Sequence, residues 1–282
     1  MKYLTAEQHR DIVAKLLALG QKVDGTQYHP AGAEYTSLMV CFLLHNLSAA
    51  DALLRLAKSF GSEWFPATVG YTITRTMFET DVTAHYITQS ASERSRQYIA
   101  FGAVLTKKEM DACQKHCKSN AASWREAMNL VWDNHWSSRE CEVNQKAAAV
   151  QAQFQRISGN GKTVDFKNWA GKSIRQMSEE VDHAEAYDVF YSELSAFTHV
   201  NVRLADRFLR LRQDGLAWSQ MADEFDFGNV FRHSANFLTC FLELFATQFG
   251  TWVQKDVQDC WEVEEADNNG VQPKNNPCHS MA

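Results

Sequence analysis

The chain has 282 residues, of which 45% are hydrophobic, and a formal net charge of −6 at pH 7. Its length is ample for a large core in one large or two small domains. The acidic balance excludes the global basic character of a protein that coats nucleic acids, although a local basic patch is compatible with it.

The first ninety residues predict three helices in an all-α chain. Apolar residues recur at helical spacing, and no proline lies between residues 67 and 272 to break a helix. We predict one helix from about Thr5 to Leu19. A second is expected after Pro30 and ends near Phe60 at Gly61, and a third runs from about residue 66 to 89.

The middle of the chain predicts a peripheral helical hairpin, residues 107–157, inserted between core helices. A capping box, "TKKE", begins at Thr106 and predicts that a helix opens there and reaches about Asn134. A second helix is expected over residues 138–156. Both are rich in Lys, Glu, Gln and Ala and poor in large aliphatic residues. The residues expected to anchor this hairpin are its tryptophans, Trp124, Trp132 and Trp136.

The remaining chain predicts a loop, three helices and a tail. The loop covers residues 158–173 and is followed by a short helix that contains "SIRQMSEEV". Further helices are expected at 184–199 and at about 229–261, and the aromatic residues of the last one suit a homodimer. The polar, acidic segment 263–282 predicts a disordered tail. The fold class is therefore all-α, a single multi-helix bundle over residues 1–262.

We expect a cytoplasmic protein without a membrane segment. The longest apolar runs are too short for a transmembrane helix. The N-terminal residues lack the apolar stretch of a signal peptide. Seven scattered cysteines, an odd number, indicate reduced thiols instead of a disulfide framework.

Polar side chains form a stripe along the predicted helix of residues 184–199, in the stretch "YDVFYSELSAFTH". Residues four apart on an α-helix drift by about 40°. Tyr191, Ser195 and His199 therefore share a face, whereas His183 drifts off it. Buried hydroxyl groups need partners, and a histidine near a helix end titrates close to neutral pH. The stripe predicts a polar site, with a satisfied core histidine as the structural alternative.

A charged pair on the preceding helix could complete that site. Arg75 and Glu79 lie four residues apart in "TITRTMFETDVTAHYI", where half of the other positions are apolar. A buried pair of this kind demands additional hydrogen bonds. Tyr191, Ser195 and His199 could supply them if the two helices pack together. The alternative is a surface pair, which contributes a few tenths of a kcal/mol.

Arginines that follow the stripe predict a local basic patch. Arg203, Arg207 and Arg210 fall on one face if "RLADRFLRLR" is helical, beside His199. Such a surface suits RNA or a nucleotide as the partner, because guanidinium groups bind phosphate. An ordinary solvated helix face is the alternative.

Metal and cofactor motifs are weak in this sequence. "CQKHC" places Cys113, His116 and Cys117 close together, but no second pair follows at the spacing of a zinc finger. There is no His-Glu-x-x-His motif either. We therefore predict no metal and no cofactor.

Four segments in order resemble a widespread bacterial family of helical proteins known as a domain of unknown function. They are "RTMFETDVTAHYI", "RSRQYIAF", "WAGKSIRQMSEEV" and "YDVFYSELSAFTH", and the resemblance spans about residues 35–200. It implies a helical fold and one polar cluster, and it supplies no activity. The positions carried over by the resemblance are Arg75, Glu79, Tyr98, Trp169, Tyr191, Ser195 and His199.

A broader analogy connects this chain to helical ribonucleases of the HEPN type. Those enzymes act without a metal in toxin and phage-defence systems and use an Arg-x4–6-His motif. That spacing is absent here, since Arg75 is too far from His85 and Arg175 misses the range to His183 by one residue. The analogy therefore rests on fold alone.

Two hypotheses of function follow. In the first, the protein is a metal-independent ribonuclease or a nucleotide-acting effector of a defence or toxin system. His199 is then the general acid or base, Arg75 clamps phosphate and Glu79 orients Arg75. The residues expected to bind substrate are Ser195, Tyr191, Arg203, Trp169 and Tyr98. In the second, the protein is a non-enzymatic interaction or sensor module, and the same polar residues are a structural network.

Overall fold

A computed structural model gives the protein's fold for residues 4–23, 29–159, 161–198, 209–212, 215–218, 224–250 and 254–262. The fold is all-α, as predicted, with two small hairpins of β-strand. The α-helices are α1 (Ala6–Gly20), α2 (Ala33–Phe60), α3 (Ala67–Thr88), α4 (Ala91–His116), α5 (Ala122–Val131), α6 (Glu140–Val150), α7 (Ile174–Glu180), α8 (Ala184–Ala186), α9 (Ser192–Thr198), α10 (Glu224–Phe249) and α11 (Gln254–Asp259).

The core forms where α1, α2, α3 and α10 pack together. α1 begins with a capping box, in which the Thr5 hydroxyl accepts from the Gln8 N–H and the Gln8 side chain accepts from the Thr5 N–H. The apolar faces that helical spacing predicted meet in this core. Its fully buried side chains include Leu16, Met39, Leu53, Phe78, Phe231, Phe241 and Phe245.

The predicted bounds of the first three helices are confirmed to within about three residues. Among the described helices, α2 is long and apolar enough to cross a membrane by length and composition. Half of its most apolar window is buried within the protein. The core helix of a soluble protein passes the same test, so this is weak evidence for a membrane segment.

The predicted start of the peripheral hairpin at Thr106 is wrong, because α4 runs unbroken from Ala91 to His116. The Thr106 hydroxyl donates to the carbonyl oxygen of Gly102 four residues earlier, so it satisfies itself inside the helix instead of capping a new one. Of the three tryptophans, Trp136 is buried in a small second core, whereas Trp124 is half exposed. The other buried residues of that second core are Met110, Cys113 and Val143.

Two short β-hairpins lie where the sequence predicted a helix and a loop. Strand β1 (Gln155–Ile157) pairs antiparallel with β2 (Thr163–Asp165), in a stretch expected to be the end of a helix and a loop. Gly161 supplies the left-handed backbone of the connecting turn, with φ +76°. A second hairpin joins β3 (Leu209–Arg212) to β4 (Gly215–Trp218). Because Arg210 lies on β3, the predicted helical face through Arg210 is wrong.

The last helix ends earlier than predicted. α10 stops at Phe249, where Gly250 takes φ +62°, a conformation that commonly ends helices, and α11 follows. The aromatic residues of α10 that suggested a homodimer are largely buried in the chain's own core. The dimer therefore stays a prediction without that support. The predicted disordered tail, 263–282, lies outside the described residues.

Candidate functional site

The expected packing between α3 and the stripe-bearing segment is present. α8, a π-helical turn (Tyr187–Tyr191) and α9 follow one another without a break, and we refer to them together as the 184–198 helix. This helix packs along α3 in the antiparallel sense: His183, just before it, meets Asp81, and Glu193 meets Tyr71. The polar clusters around Arg75 and around Asp81 lie along this contact.

The Arg75 cluster consists of Arg75, Glu79 and Tyr191. Arg75 Nε donates to Glu79 Oε1 at 2.8 Å, and its Nη2 donates to the Tyr191 hydroxyl at 2.9 Å. That hydroxyl donates in turn to Glu79 Oε1 at 2.8 Å. The guanidinium carbon also lies 5.0 Å from the centre of the Tyr191 ring, within the range of a cation–π contact. The three side chains thus form a closed ring of hydrogen bonds.

Partial burial fixes the charge states of this cluster. Burial lowers the pKa of Arg75, but its hydrogen bond and charge interaction with Glu79 outweigh burial and raise the pKa above its ordinary value. Burial and the bond to Glu79 also raise the pKa of Tyr191. Arg75 therefore stays charged and Tyr191 stays protonated at neutral pH. Tyr191 acts as a hydrogen-bond donor in this cluster and not as a base.

The Asp81 cluster consists of Asp81, His85 and His183, and lies nearer the C-terminal end of α3. Asp81 Oδ2 lies 3.2 Å from His183 Nε2, and Oδ1 lies 3.1 Å from His85 Nδ1. That nitrogen is directed at the backbone carbonyl oxygen of Asp81, 3.0 Å away. Asp81 Oδ1 consequently receives no well-directed hydrogen bond from any residue that the structure describes. The Asp81 side chain is fully buried.

The pKa shifts in this cluster favour a negative charge on Asp81 and a positive charge on His183. Burial raises the pKa of Asp81, but the neighbouring His183 and His85 lower it further than burial raises it. The hydrogen bond to Asp81 raises the pKa of His183 against the opposing effect of burial. Asp81 is therefore an ionised carboxylate inside the protein, a state that requires a positive partner.

A local turn holds His183 in place. Its N–H donates to the carbonyl oxygen of Ser178 at 2.8 Å, and its Nδ1 lies 2.7 Å from the carbonyl oxygen of Val181. Asp182 between them adopts φ 58°, which is uncommon for a residue other than glycine. We expected His183 to drift off the face shared by Tyr191, Ser195 and His199. It nevertheless contacts Asp81 on α3, as Tyr191 contacts Glu79, because the turn places it before the helix begins.

The other predicted site residues are not gathered into the Arg75 cluster. Trp169 is buried in an aromatic group, 5.2 Å from Tyr98 and 5.6 Å from Tyr86 between ring centres. Tyr86 lies eleven residues beyond Arg75 on α3, which is about 16 Å along the axis. The expectation of one cluster is therefore wrong for Tyr98 and Trp169, because aromatic packing places them elsewhere.

The remaining predicted site residues are Ser195, His199 and Arg203, and of these the structure describes Ser195. Ser195 is half-buried on the 184–198 helix, and its hydroxyl forms no hydrogen bond with another described residue. His199 and Arg203 lie outside the described residues. Their predicted roles as acid or base and as substrate-binding group stay predictions.

Sequence reasoning missed Asp81 and His85. The signal was present as Asp-x3-His on one helix, a spacing of four that places both side chains on the same face. His183 could not be paired with them from the sequence, since 102 residues separate it from Asp81. Among the described residues, these three form a group of metal-ligand type, with one donor atom from each lying within 4.8 Å of the others.

A model of a protein family described as "Family of unknown function (DUF5677)" matches residues 36–216. No curated protein and no solved structure matches the chain. The matched span covers more than half of the chain and includes both polar clusters. The family resemblance carried by the four sequence segments is confirmed at this level, while the bacterial origin and the HEPN analogy stay predictions. The chain belongs to DUF5677, a family of unknown function.

Proposed function

We propose that this protein is a non-enzymatic interaction or sensor module, in which the Arg75 cluster fixes the register of the 184–198 helix on α3. The observation that carries the proposal is the closed ring of hydrogen bonds among Arg75, Glu79 and Tyr191. Two guanidinium donors and the Tyr191 hydroxyl already have partners within the cluster. An arginine that clamps a phosphate instead directs its donors towards the ligand.

The outer side of the 184–198 helix supports a role in binding another molecule. Asp188 is 61% exposed and Val189 is 60% exposed, while Tyr191 and Phe190 pack inward. The Arg75 cluster would hold the helix so that this outer side is presented in one orientation. Polar networks that are satisfied internally often specify such a unique arrangement.

A double-mutant cycle tests the proposed role of the cluster. Tyr191→Phe, Glu79→Ala and the double variant are unfolded in urea beside the wild type. We expect the two substitutions to couple by about 1 kcal/mol, because each removes a bond that the other residue shares. Cells that express the wild type are expected to keep intact total RNA. A coupling energy near zero would contradict a shared structural network.

A second candidate function is cleavage of a phosphodiester or action on a nucleotide in a defence or toxin system. It is favoured by the partial exposure of the cluster, since the Glu79 side chain is 33% exposed. In this candidate Arg75 binds the phosphate, Glu79 orients Arg75 and His199 transfers the proton. Cleavage of total RNA by the wild type, absent with an equally folded His199→Ala variant, would replace the first proposal with this one.

A further inference from the structure

The Asp81 cluster has the donor types and the spacing of a metal site. Two ligand atoms bound to one ion at about 2.0–2.2 Å lie about 2.9–3.5 Å from each other at octahedral or tetrahedral angles. His85 Nδ1 lies 3.1 Å from Asp81 Oδ1 and His183 Nε2 lies 3.2 Å from Asp81 Oδ2. Both distances fall in that range for an ion that faces both carboxylate oxygens. We propose that Asp81, His85 and His183 bind a divalent transition-metal ion, with zinc as the simplest case.

The hydrogen bonding of His183 supports a ligand role for its Nε2 atom. Its Nδ1 lies 2.7 Å from the carbonyl oxygen of Val181, so Nδ1 carries a proton and donates it. In the neutral ring, Nε2 then presents a lone pair towards a carboxylate oxygen, which is also an acceptor. Either a proton on Nε2 or a metal ion between the two atoms resolves this conflict. Histidines that bind metals commonly donate their other N–H to a backbone carbonyl oxygen in this way.

The second histidine makes a metal ion a better partner for Asp81 than two protons. The rings of His85 and His183 lie 4.7 Å apart between centres. If both were protonated to pair with Asp81, two positive charges would lie side by side, which is unfavourable. One divalent ion instead takes the Nε2 lone pair of His183 and neutralises the carboxylate. It also takes the Nδ1 lone pair of His85, which then gives up its 3.0 Å contact with the Asp81 carbonyl oxygen.

The buried carboxylate supplies an independent observation. Asp81 is fully buried, and its Oδ1 receives no well-directed hydrogen bond from the described residues. Such an oxygen is costly to bury without a partner. A bound cation would satisfy it.

The donor set and its exposure indicate which ions would bind. Imidazole suits zinc, copper, iron and nickel, whereas magnesium and calcium prefer sites made of oxygen. The His85 and His183 side chains are 22% and 18% exposed, so solvent reaches the histidine side of the cluster. Three protein ligands beside solvent leave a coordination position for water, as in zinc sites that are not closed.

This site goes beyond the proposed function and rests on different residues. The ion would join α3 to the turn before the 184–198 helix and would stabilise that junction. Metal binding and the register of the helix are therefore separable in experiment, because the Arg75 cluster shares no residue with the site.

The test is a titration of the full chain, stripped of metal with EDTA and reduced, with zinc alone and then with cobalt alone. We expect one zinc ion per chain and a higher melting temperature in its presence. Asp81→Asn and His183→Gln are expected to weaken zinc binding at least tenfold. His183→Gln decides the test if Asp81→Asn does not fold, because His183 is partly exposed.

Cysteines are the main competitors for zinc, so the matched control is Cys117→Ser in the "CQKHC" segment. It should bind zinc as the wild type does, and bound cobalt should show no thiolate charge-transfer band. The inference is overturned if the wild type binds no zinc, if His183→Gln binds it unchanged, or if a thiolate band appears.

Discussion

The Arg75 cluster and the Asp81 cluster on α3 differ in how completely their polar atoms are hydrogen-bonded. In the Arg75 cluster, Tyr191 donates to Glu79 and accepts from Arg75, which closes a ring of hydrogen bonds among the three side chains. In the Asp81 cluster, the carboxylate is fully buried and one of its oxygens lacks a well-directed bond from any described residue. The more deeply buried charge is thus the less completely satisfied one.

One helix can thus carry two kinds of polar contact, a hydrogen-bonded cluster and a buried carboxylate that needs a cation. A closed cluster at partial exposure needs nothing from outside the protein and serves to fix a register. A buried ionised carboxylate with spare acceptor capacity requires a cation, either protonated histidines or a metal ion. We therefore propose the structural role for the Arg75 cluster and the ligand-binding role for the Asp81 cluster.

The largest expected effect is on the Asp81 cluster. Asp81→Ala should lower the free energy of unfolding by about 3 kcal/mol in EDTA, because it removes the buried charge that both histidines face. The measurement is urea denaturation followed by circular dichroism. Asp51→Ala is a suitable control, since Asp51 is an exposed acidic residue in an i,i+4 pair on α2.

A loss in Asp81→Ala no larger than that in Asp51→Ala would break the distinction between the clusters. It would mean that the buried carboxylate contributes no net stability and that its histidine partners are not needed to hold the turn.

Acid should act on the 184–198 helix from its other side, through His233 on α10. This side chain is buried, and its ring centre lies 4.1 Å from that of Phe190. Burial, with smaller effects from Arg232 and His9, lowers the pKa of His233 from 6.5 to about 3. Between these values the unfolded chain binds a proton that the folded protein does not. Stability from neutral His233 is therefore present above pH 6.5 and is lost as the pH falls towards 3.

We expect this histidine to lower the free energy of unfolding by about 2 kcal/mol between pH 7 and pH 5. His233→Phe keeps an aromatic ring against Phe190 and removes the titration. Its stability should fall less over the same range in urea denaturation at each pH. Equal pH dependence in the two proteins would show that other groups, such as His9, cause the acid sensitivity.

Helical spacing predicted the framework because the core helices depend on their own apolar periodicity. α1, α2 and α3 begin and end near predicted residues, since caps and prolines are local signals. The Arg75–Tyr191 contact was also predictable, because spacing placed both residues on inward faces. The predictions that were wrong concern features that depend on contacts between distant parts of the chain. Thr106 shows a cap pattern that the continuing α4 overrides.

The Asp81 cluster could not be predicted from the sequence, because a local turn places His183. His183 was expected to rotate away under the 40° drift of an α-helix, but it precedes the helix and has non-helical backbone angles. The turn at Asp182 places it instead. Asp-x3-His alone is a common pattern on solvated helices. It becomes a site only when the turn at Asp182 brings His183 to it.

The smallest expected effect concerns two i,i+4 ion pairs of similar length. Arg75 and Glu79 are 2.8 Å apart with side chains 17% and 33% exposed, whereas Arg55 and Asp51 are 2.7 Å apart with 78% and 42% exposed. Arg75→Ala should cost about 1 kcal/mol, because it also removes the bond to Tyr191. Arg55→Ala should change stability by less than about 0.5 kcal/mol.

Urea denaturation at low and high salt distinguishes the two causes of such a difference. The cost of Arg55→Ala should vanish in high salt, because exposed charges are screened. The cost of Arg75→Ala should largely persist, since its hydrogen bond to Tyr191 involves a neutral partner. If both costs vanish together, the Arg75 cluster is an ordinary surface pair and does not fix the register of the 184–198 helix.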